Sequence, residues 1–116
     1  MNYDDVVKLQ HLYYELRKVN EELIVLRSRL AELREAKRLL KEVNPSRIFR
    51  EVGGLIIEVD LASAIRYVEE EAEIIELRIN QLEKKRRELA EEIKRLESEI
   101  KLRYSSRDVK DRDFRN

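Results

Sequence analysis

The sequence predicts a mainly α-helical fold, a long antiparallel two-helix coiled coil with a central β-hairpin at the connection between the helices. Three observations support it. Apolar residues recur in alternating steps of three and four on both sides of the chain's midpoint, and two apolar runs flank a Gly-Gly pair near the middle. Charged residues make up 43% of the 116 residues, with 2 Gly and 1 Pro. Such a composition is typical of long helices that bury a seam and not a broad core.

The first helix is predicted at about residues 4–43. Its heptad positions carry the apolar residues Leu9, Leu12, Leu16, Val19, Leu23, Leu26, Leu30 and Leu33. The pattern ends near Asn44 and Pro45, and a proline disfavours helical conformation at the residue before it. We therefore expect the chain to leave the helix at this point.

The β-hairpin is predicted at about residues 47–59. Gly53 and Gly54 can both adopt positive φ, as a two-residue turn of type I′ requires. Apolar side chains then point to both faces of the hairpin, and a lone two-stranded hairpin with two open edges is marginal in water. This predicts an oligomer assembled through the residues Ile48, Phe49, Val52, Gly53, Gly54, Leu55, Ile56, Ile57 and Val59. The alternative is a monomer in which the hairpin only caps its own helices.

The second helix is predicted at about residues 61–103, with Asp60 as its N-cap. Its seam is predicted at Leu61, Ile65, Val68, Ala72, Ile75, Ile79, Leu82, Arg86, Leu89, Ile93, Leu96 and Ile100. Because the connection is short, the two helices must be antiparallel, and residues 1–103 form one coiled-coil domain. The heptad pattern stops at Tyr104, so we expect residues 104–116 to be a charged, disordered tail.

Two seam positions are basic, and an unpaired charge in a dry interface would be costly. The antiparallel register predicts that Lys37 lies near Glu69, Glu70 or Glu73. It also predicts that Arg86 lies near Glu21 or Glu22. Each side chain could simply extend its charged end into solvent, or it could fix the register of the two helices.

No pattern of catalytic, metal-binding or cofactor-binding residues is found in the sequence. The single histidine, His11, has no cysteine partner, and the Gly-Gly pair lacks the lysine and spacing of a phosphate-binding loop. The formal net charge is 0 with both signs interspersed, which argues against nucleic acid as a partner. The lack of these motifs, and of a concave pocket in a narrow two-helix seam, predicts that the protein is not an enzyme. We also predict no membrane span and no secretory signal, and hence a cytoplasmic protein.

The central segment Ile48–Val59 and the segment Glu76–Leu82 resemble the β-class subunits of prefoldin. The resemblance covers about residues 5–103, and the single short hairpin favours the β class over the α class. It implies a hexamer of α-class and β-class subunits held together by the hairpins. It also implies a chaperone that binds unfolded proteins at the coiled-coil tips without ATP and delivers them to a group II chaperonin. The expected partners are an α-class subunit, other copies of this chain, unfolded clients and that chaperonin.

Apolar residues outside the seam occur at the predicted tip: Val6, Val7, Tyr13, Tyr14, Leu102 and Tyr104. Exposed apolar groups on several arms could bind unfolded chains weakly and multivalently. Each could instead cover the end of the seam. Two other functions stay open, namely a prefoldin-like structural protein that forms homo-oligomers or filaments, and a plain coiled-coil adaptor.

Overall fold

A computed structural model describes the backbone of residues 3–115 and the side chains of residues 3–105. The order of elements is α1 (Tyr3–Val43), β1 (Ile48–Val52), β2 (Leu55–Val59) and α2 (Leu61–Arg115). The strands form a two-stranded antiparallel sheet. The predicted fold class is therefore confirmed. The chain forms two compact units, one consisting of Leu23–Gln81 and the other of residues 1–22 with residues 82–116.

The Leu23–Gln81 unit contains the hairpin and the helical segments on either side of it. Two ion pairs join its helices, Arg34–Glu76 at 3.0 Å and Lys37–Glu69 at 3.1 Å. From the first pair to the second, the residue number rises in α1 and falls in α2, so the two helical segments are antiparallel. The buried side chains of this unit are Leu23, Leu30, Leu33, Ala64, Val68, Ile75 and Ile79. All of them except Ala64 are predicted seam positions.

The second unit pairs the beginning of α1 with the later part of α2. Asp5 contacts Arg103, and Tyr13 contacts Glu97, so these segments are also antiparallel. The buried side chains here are Leu12, Val19, Leu82, Leu89, Ile93 and Ile100. All are predicted seam positions, and each unit therefore has the narrow apolar seam that the heptads predict.

The junctions between elements follow the local chemistry of the sequence. Asn44, directly after α1, has a φ of 47°, the left-handed conformation that often ends a helix. Gly53 and Gly54 have φ values of 56° and 84°, as expected for a type I′ turn. Asp60 caps α2, since its Oδ1 accepts a hydrogen bond of 2.7 Å from the backbone N–H of Ser63.

The far end of α2 differs from the sequence prediction. The helix continues to Arg115, beyond the end predicted at about residue 103. Residues 101–115 contain neither Gly nor Pro, so the loss of the heptad pattern removes the packing partner but not the capacity to be helical. The side chains from residue 106 onward, including those of Val109 and Phe114, lie outside the described residues. Within the described part of the chain, neither helix has the length and apolarity to cross a bilayer.

Candidate assembly and client-binding surfaces

The hairpin exposes most of its apolar side chains. Its register pairs Ile48 with Val59 and Val52 with Leu55, so residues 48, 50, 52, 55, 57 and 59 share one face, as predicted. Ile48 and Val59, next to the helices, are half-buried. Toward the turn the chain is open to solvent, and Leu55 and Ile56 are 67% and 76% exposed. The apolar surface that this fold leaves uncovered is therefore concentrated at the outer part of the hairpin.

Both edges of the hairpin also present free backbone groups. In a two-residue hairpin the pair next to the turn exchanges hydrogen bonds, so the pairs Val52 with Leu55 and Arg50 with Ile57 are bonded across the ladder. The N–H and C=O groups of Phe49 and Glu51 then point outward from β1, and those of Ile56 and Glu58 point outward from β2. No third strand pairs with either edge in residues 3–115. Another strand could add to the sheet at each edge.

A groove of about 570 Å³ lies beside β1, between the hairpin and the helices of the same unit. Its lining is almost wholly apolar and includes Leu39, Val43, Phe49 and Tyr67. The sequence reasoning did not single out Leu39 and Val43, both well exposed. They fall outside the heptad seam, and only the position of the hairpin brings them into one surface with Phe49.

Arg50 is the charged side chain that packs most closely in this groove. Its guanidinium carbon lies 3.4 Å from the centre of the Tyr67 ring, a stacked cation–π contact. The Arg50 Nε is buried and has no hydrogen-bond partner. On the other face of the hairpin, Arg47 pairs with Glu58 at 3.2 Å and lies over the Phe49 ring. The hairpin thus combines open apolar surface with two arginines held on aromatic rings.

The predicted tip residues lie in the unit that contains residues 1–22. Val7, Tyr13, Tyr14, Leu102 and Tyr104 are exposed, and Val6 is half-buried. Two shallow grooves share Leu9, one of about 300 Å³ that includes Val6, Tyr13 and Tyr14, and one of about 320 Å³ that includes Tyr104. The structure therefore brings most of the predicted tip residues to apolar grooves, although Val7 and Leu102 line neither.

Polar contacts flank the same grooves. The Tyr13 hydroxyl donates a hydrogen bond to the Glu97 carboxylate. That bond, together with desolvation and the carboxylate charge, raises the pKa of Tyr13. Arg103 pairs at 3.0 Å with Asp5, whose side chain is only 13% exposed. Lys18 lies 5.3 Å from the centre of the Tyr14 ring. The first two contacts join the two helical segments beside the apolar grooves, whereas the Lys18–Tyr14 contact lies within α1.

The two basic seam positions have different outcomes. Lys37 pairs with Glu69, which confirms the predicted partner, and both side chains remain partly exposed. The partner predicted for Arg86 stays a prediction.

His11 lies 3.2 Å from Glu15 one turn away on the helix surface. Among the described residues, no group of three or more His, Cys, Asp or Glu side chains could hold a metal ion.

Four exposed aliphatic residues outside the hairpin and the tip were also missed by the sequence reasoning: Ile24, Val25, Ile74 and Leu77. They lie one or two places from seam positions in the sequence, so being apolar does not by itself separate them from the seam. The angular position on each helix does separate them, because a residue two places from a seam position points away from it.

Antiparallel helical segments joined through a β-hairpin place the chain in the class of two-helix coiled-coil proteins with a hairpin connection. The family profile described as "Prefoldin subunit" matches residues 4–107. The chain therefore belongs to the prefoldin subunit family.

Individual relatives agree with this assignment. The chain is 37% identical over 73 residues to prefoldin subunit beta of Thermococcus onnurineus, and this match covers 60% of this chain and 63% of that protein. It is 36% identical over 73 residues to prefoldin subunit beta of Thermococcus gammatolerans, covering 60% of this chain and 62% of that protein. The matches thus span somewhat less than two thirds of these relatives' lengths.

The fold matches two solved structures. The prefoldin beta subunit from Thermococcus strain KS-1 superposes with a TM-score of 0.77 at 24% identity, covering 84% of this chain and 86% of that chain. The beta2 subunit from the same strain gives a TM-score of 0.71 at 24% identity, covering 78% of this chain and 97% of that chain. The resemblance to β-class prefoldin subunits, which the hairpin segment indicated, is confirmed.

Proposed function

We propose that this chain is a β-class subunit of an ATP-independent chaperone, assembled through its hairpin with an α-class subunit and with other copies of itself. The assembly holds unfolded proteins at the ends of its coiled coils and passes them to a group II chaperonin in the cytoplasm. The observation that carries the proposal is the hairpin, with two open edges and exposed Leu55 and Ile56 in a member of the prefoldin family.

The hairpin supports assembly because, among residues 3–115, its edge groups and its apolar side chains are left to solvent, and a strand from another chain would cover both. Free N–H and C=O groups on both edges favour added strands, and each added strand also covers apolar side chains such as Ile56. The groove beside β1 adds an apolar surface next to one of these edges.

The tip supports client binding for a different reason. Its grooves are shallow, apolar and small, so each would hold one or two side chains of an unfolded chain weakly. Several arms in one assembly would raise the effective affinity. Binding of this kind needs no nucleotide, because weak contacts release the client without an energy source.

Assembly is tested by native mass measurement of the chain alone and after mixing with an α-class subunit from a related archaeon. We expect a defined hetero-oligomer of larger mass on mixing. A chain that stays monomeric in both samples contradicts the proposal. Filaments formed by the chain alone, and unchanged by the α-class subunit, favour the structural alternative, because two open edges can also pair without closing.

Client binding is tested with the double variant Tyr14→Lys/Tyr104→Lys, which places a charge on an exposed residue that lines each of the two tip grooves. We expect normal assembly but weaker suppression of aggregation of a chemically denatured client. Val25→Lys, an exposed valine in the other unit, serves as the matched control. Full activity of the double variant in an intact oligomer contradicts the role of the tip. Delivery is measured separately, as the gain in refolded client when a group II chaperonin and ATP are added.

A further inference from the structure

The open edge of β1 carries a base, an aromatic ring and an acid at alternate positions. Arg47, Phe49 and Glu51 share one face of the hairpin, and all three are exposed. The backbone N–H and C=O groups of Phe49 and Glu51 point outward from β1, because Arg50 and Val52 make the bonds to β2. The same residues therefore offer hydrogen-bonding groups at the edge and a charge pattern beside it.

The two charged side chains of this edge have room for another contact. Arg47 binds Glu58 through Nε and Nη2, at 3.2 and 3.3 Å, so its Nη1 is left for a second acceptor. The Arg47 side chain is 67% exposed. Glu51 forms no ion pair within the side chains of residues 3–105. Between them, the Phe49 ring is 54% exposed.

We propose that β1 pairs antiparallel with β1 of a second copy, about a two-fold axis through Phe49, to make a four-stranded sheet from two hairpins. Phe49 then faces Phe49 of the second copy, and the two residues exchange a pair of backbone hydrogen bonds. Arg47 faces Glu51 of the second copy, and the axis repeats this contact, so both charges are paired twice over. The inference rests on the proposed assembly through the hairpin and adds the edge and the register.

The charges of the strand favour this register over its neighbours. An axis at Arg50 would place Arg50 opposite Arg50, and an axis at Glu51 would place Glu51 opposite Glu51. Like charges directly opposite each other are destabilising. An axis at Ile48 would set Glu51 opposite the uncharged Pro45. The axis at Phe49 is therefore the one at which every directly opposed charge pair is attractive.

The other face of the sheet is compatible with the same register. Arg50 lies opposite Ile48 of the second copy, and the two Arg50 residues are diagonal neighbours. Each Arg50 guanidinium is held on the Tyr67 ring of its own chain, 3.4 Å from the ring centre. This stacking draws the two like charges toward their own helices and away from the sheet between them.

The β2 edge has no comparable pattern. Its outward residues are Ile56 and Glu58, and the strand Leu55–Val59 contains no basic residue, so two β2 edges cannot form an ion pair with each other. The β1 edge also adjoins the apolar groove. In the proposed register Val52 of the second copy, 44% exposed in the free chain, lies opposite Ser46, next to Pro45 in the groove lining. Self-pairing at β1 thus covers apolar surface and leaves β2 for a different partner.

Charge exchange between two separate chains tests the register. Arg47→Glu alone makes both charged contacts repulsive, and so does Glu51→Arg alone. Each variant should therefore self-associate at least about tenfold more weakly than the unmodified chain in sedimentation at about 1–200 µM protein. The double variant Arg47→Glu/Glu51→Arg should recover the association, because the two charges are exchanged and again attract.

A labelled Arg47→Glu chain then serves as a tracer. It should bind Glu51→Arg at least about tenfold more tightly than it binds itself, because both contacts become attractive. Glu91→Arg, an exposed change of the same charge in the other unit, is the matched control and leaves one contact repulsive. It should bind the tracer about threefold more weakly than Glu51→Arg does. Equal binding of Glu51→Arg and Glu91→Arg shows an effect of net charge only and overturns the proposal.

Disulfide formation tests the position of the axis in the full-length chain, which contains no cysteine of its own. A hydrogen-bonded antiparallel pair has its Cα atoms about 5.5 Å apart, a separation that a disulfide can span. Phe49→Cys should therefore give a linked dimer under mild oxidation. Ile56→Cys, on the β2 edge and 76% exposed before substitution, is the control and should give only background. Equal linking of the two variants overturns the choice of edge.

The outcomes separate this register from the proposed function. A chain that is monomeric alone at about 200 µM, but enters a hetero-oligomer with an α-class subunit, overturns the self-pairing and leaves hairpin assembly standing. The same holds if Ile57→Lys dissociates the oligomer whereas Arg47→Glu and Glu51→Arg do not. If Ile57→Lys also leaves the native mass of that hetero-oligomer unchanged, hairpin assembly itself is contradicted.

Discussion

Replacing Ile57 by lysine should dissociate the proposed oligomer while leaving the helices folded. Ile57 lies on the hairpin face that is open toward the turn, and it is only about half-buried within its own chain. The free chain therefore loses about 1 kcal/mol of apolar burial. A further few tenths of a kcal/mol come from repulsion between the new lysine and Arg50, the residue opposite in the ladder.

The cost in the assembly is larger. The exposed half of Ile57 would be covered by the neighbouring subunit, which loses a further ~1 kcal/mol of burial, and an unpaired ammonium in that interface adds at least ~2 kcal/mol. Together these weaken each contact by about 3 kcal/mol, which corresponds to a factor of more than ~100 in the dissociation constant.

Sedimentation velocity at micromolar concentration measures the assembly, and far-ultraviolet circular dichroism measures the helix content. We expect a lower mass with an almost unchanged helical signal. Leu55→Lys is a second variant, because Leu55 is more exposed and its ladder partner is the uncharged Val52. Val25→Lys controls for an added charge on an exposed aliphatic site. If both hairpin variants keep the mass of the unmodified chain, the hairpin is not the assembly surface.

Three further predictions concern individual side chains. Leu23→Ala should lower the free energy of unfolding by about 2–5 kcal/mol in chemical denaturation, since Leu23 is only 1% exposed; Ile24→Ala, on the surface, should have little effect. Asp60→Ala should lower the melting temperature at pH 7, where the ionised carboxylate caps α2. The hydrogen bonds from Ser63 hold the pKa of Asp60 below its ordinary value, so this stabilisation is lost as the pH falls through that lowered pKa. At a pH below it, the melting temperatures of the variant and the unmodified chain should converge. Glu97→Gln should bring the Tyr13 phenol back toward its ordinary pKa in an ultraviolet titration; an unshifted titration would exclude the Tyr13–Glu97 bond.

The helical seams could be predicted because heptad spacing is a local property of the sequence. Every predicted seam position, from Leu9 to Ile100, is buried or half-buried. The hairpin was predictable for the same reason, since Gly53 and Gly54 fix the turn and the alternation of side chains then follows. The Lys37–Glu69 pair required one more step, the antiparallel register, and the short connection supplied it.

The remaining features depend on contacts that no local pattern encodes. Stacking of Arg50 on Tyr67 depends on how the hairpin lies over the start of α2, and the same position buries Ala64 outside the predicted seam. The end of α2 was placed too early because the heptad reports packing, whereas helix formation also depends on intrinsic propensity. Exposed Ile74 and Leu77 look like seam residues until their angular position is considered.

The two edges of the hairpin are chemically different, and this difference limits the assemblies that the chain can form. The β1 edge presents Phe49 and Glu51 and adjoins the apolar groove, whereas the β2 edge presents Ile56 and Glu58. Pairing β1 with β1 of a second copy would use one edge of each hairpin and leave both β2 edges open. Pairing β1 with β2 of the next copy is a head-to-tail contact, which must either close on itself or extend indefinitely. Strand twist favours closure into a barrel only when the number of strands and their tilt agree. A partner that contributes a different number of strands would change that number. In the proposed assembly such a partner, and not a contact within this chain, would decide between a closed oligomer and a filament.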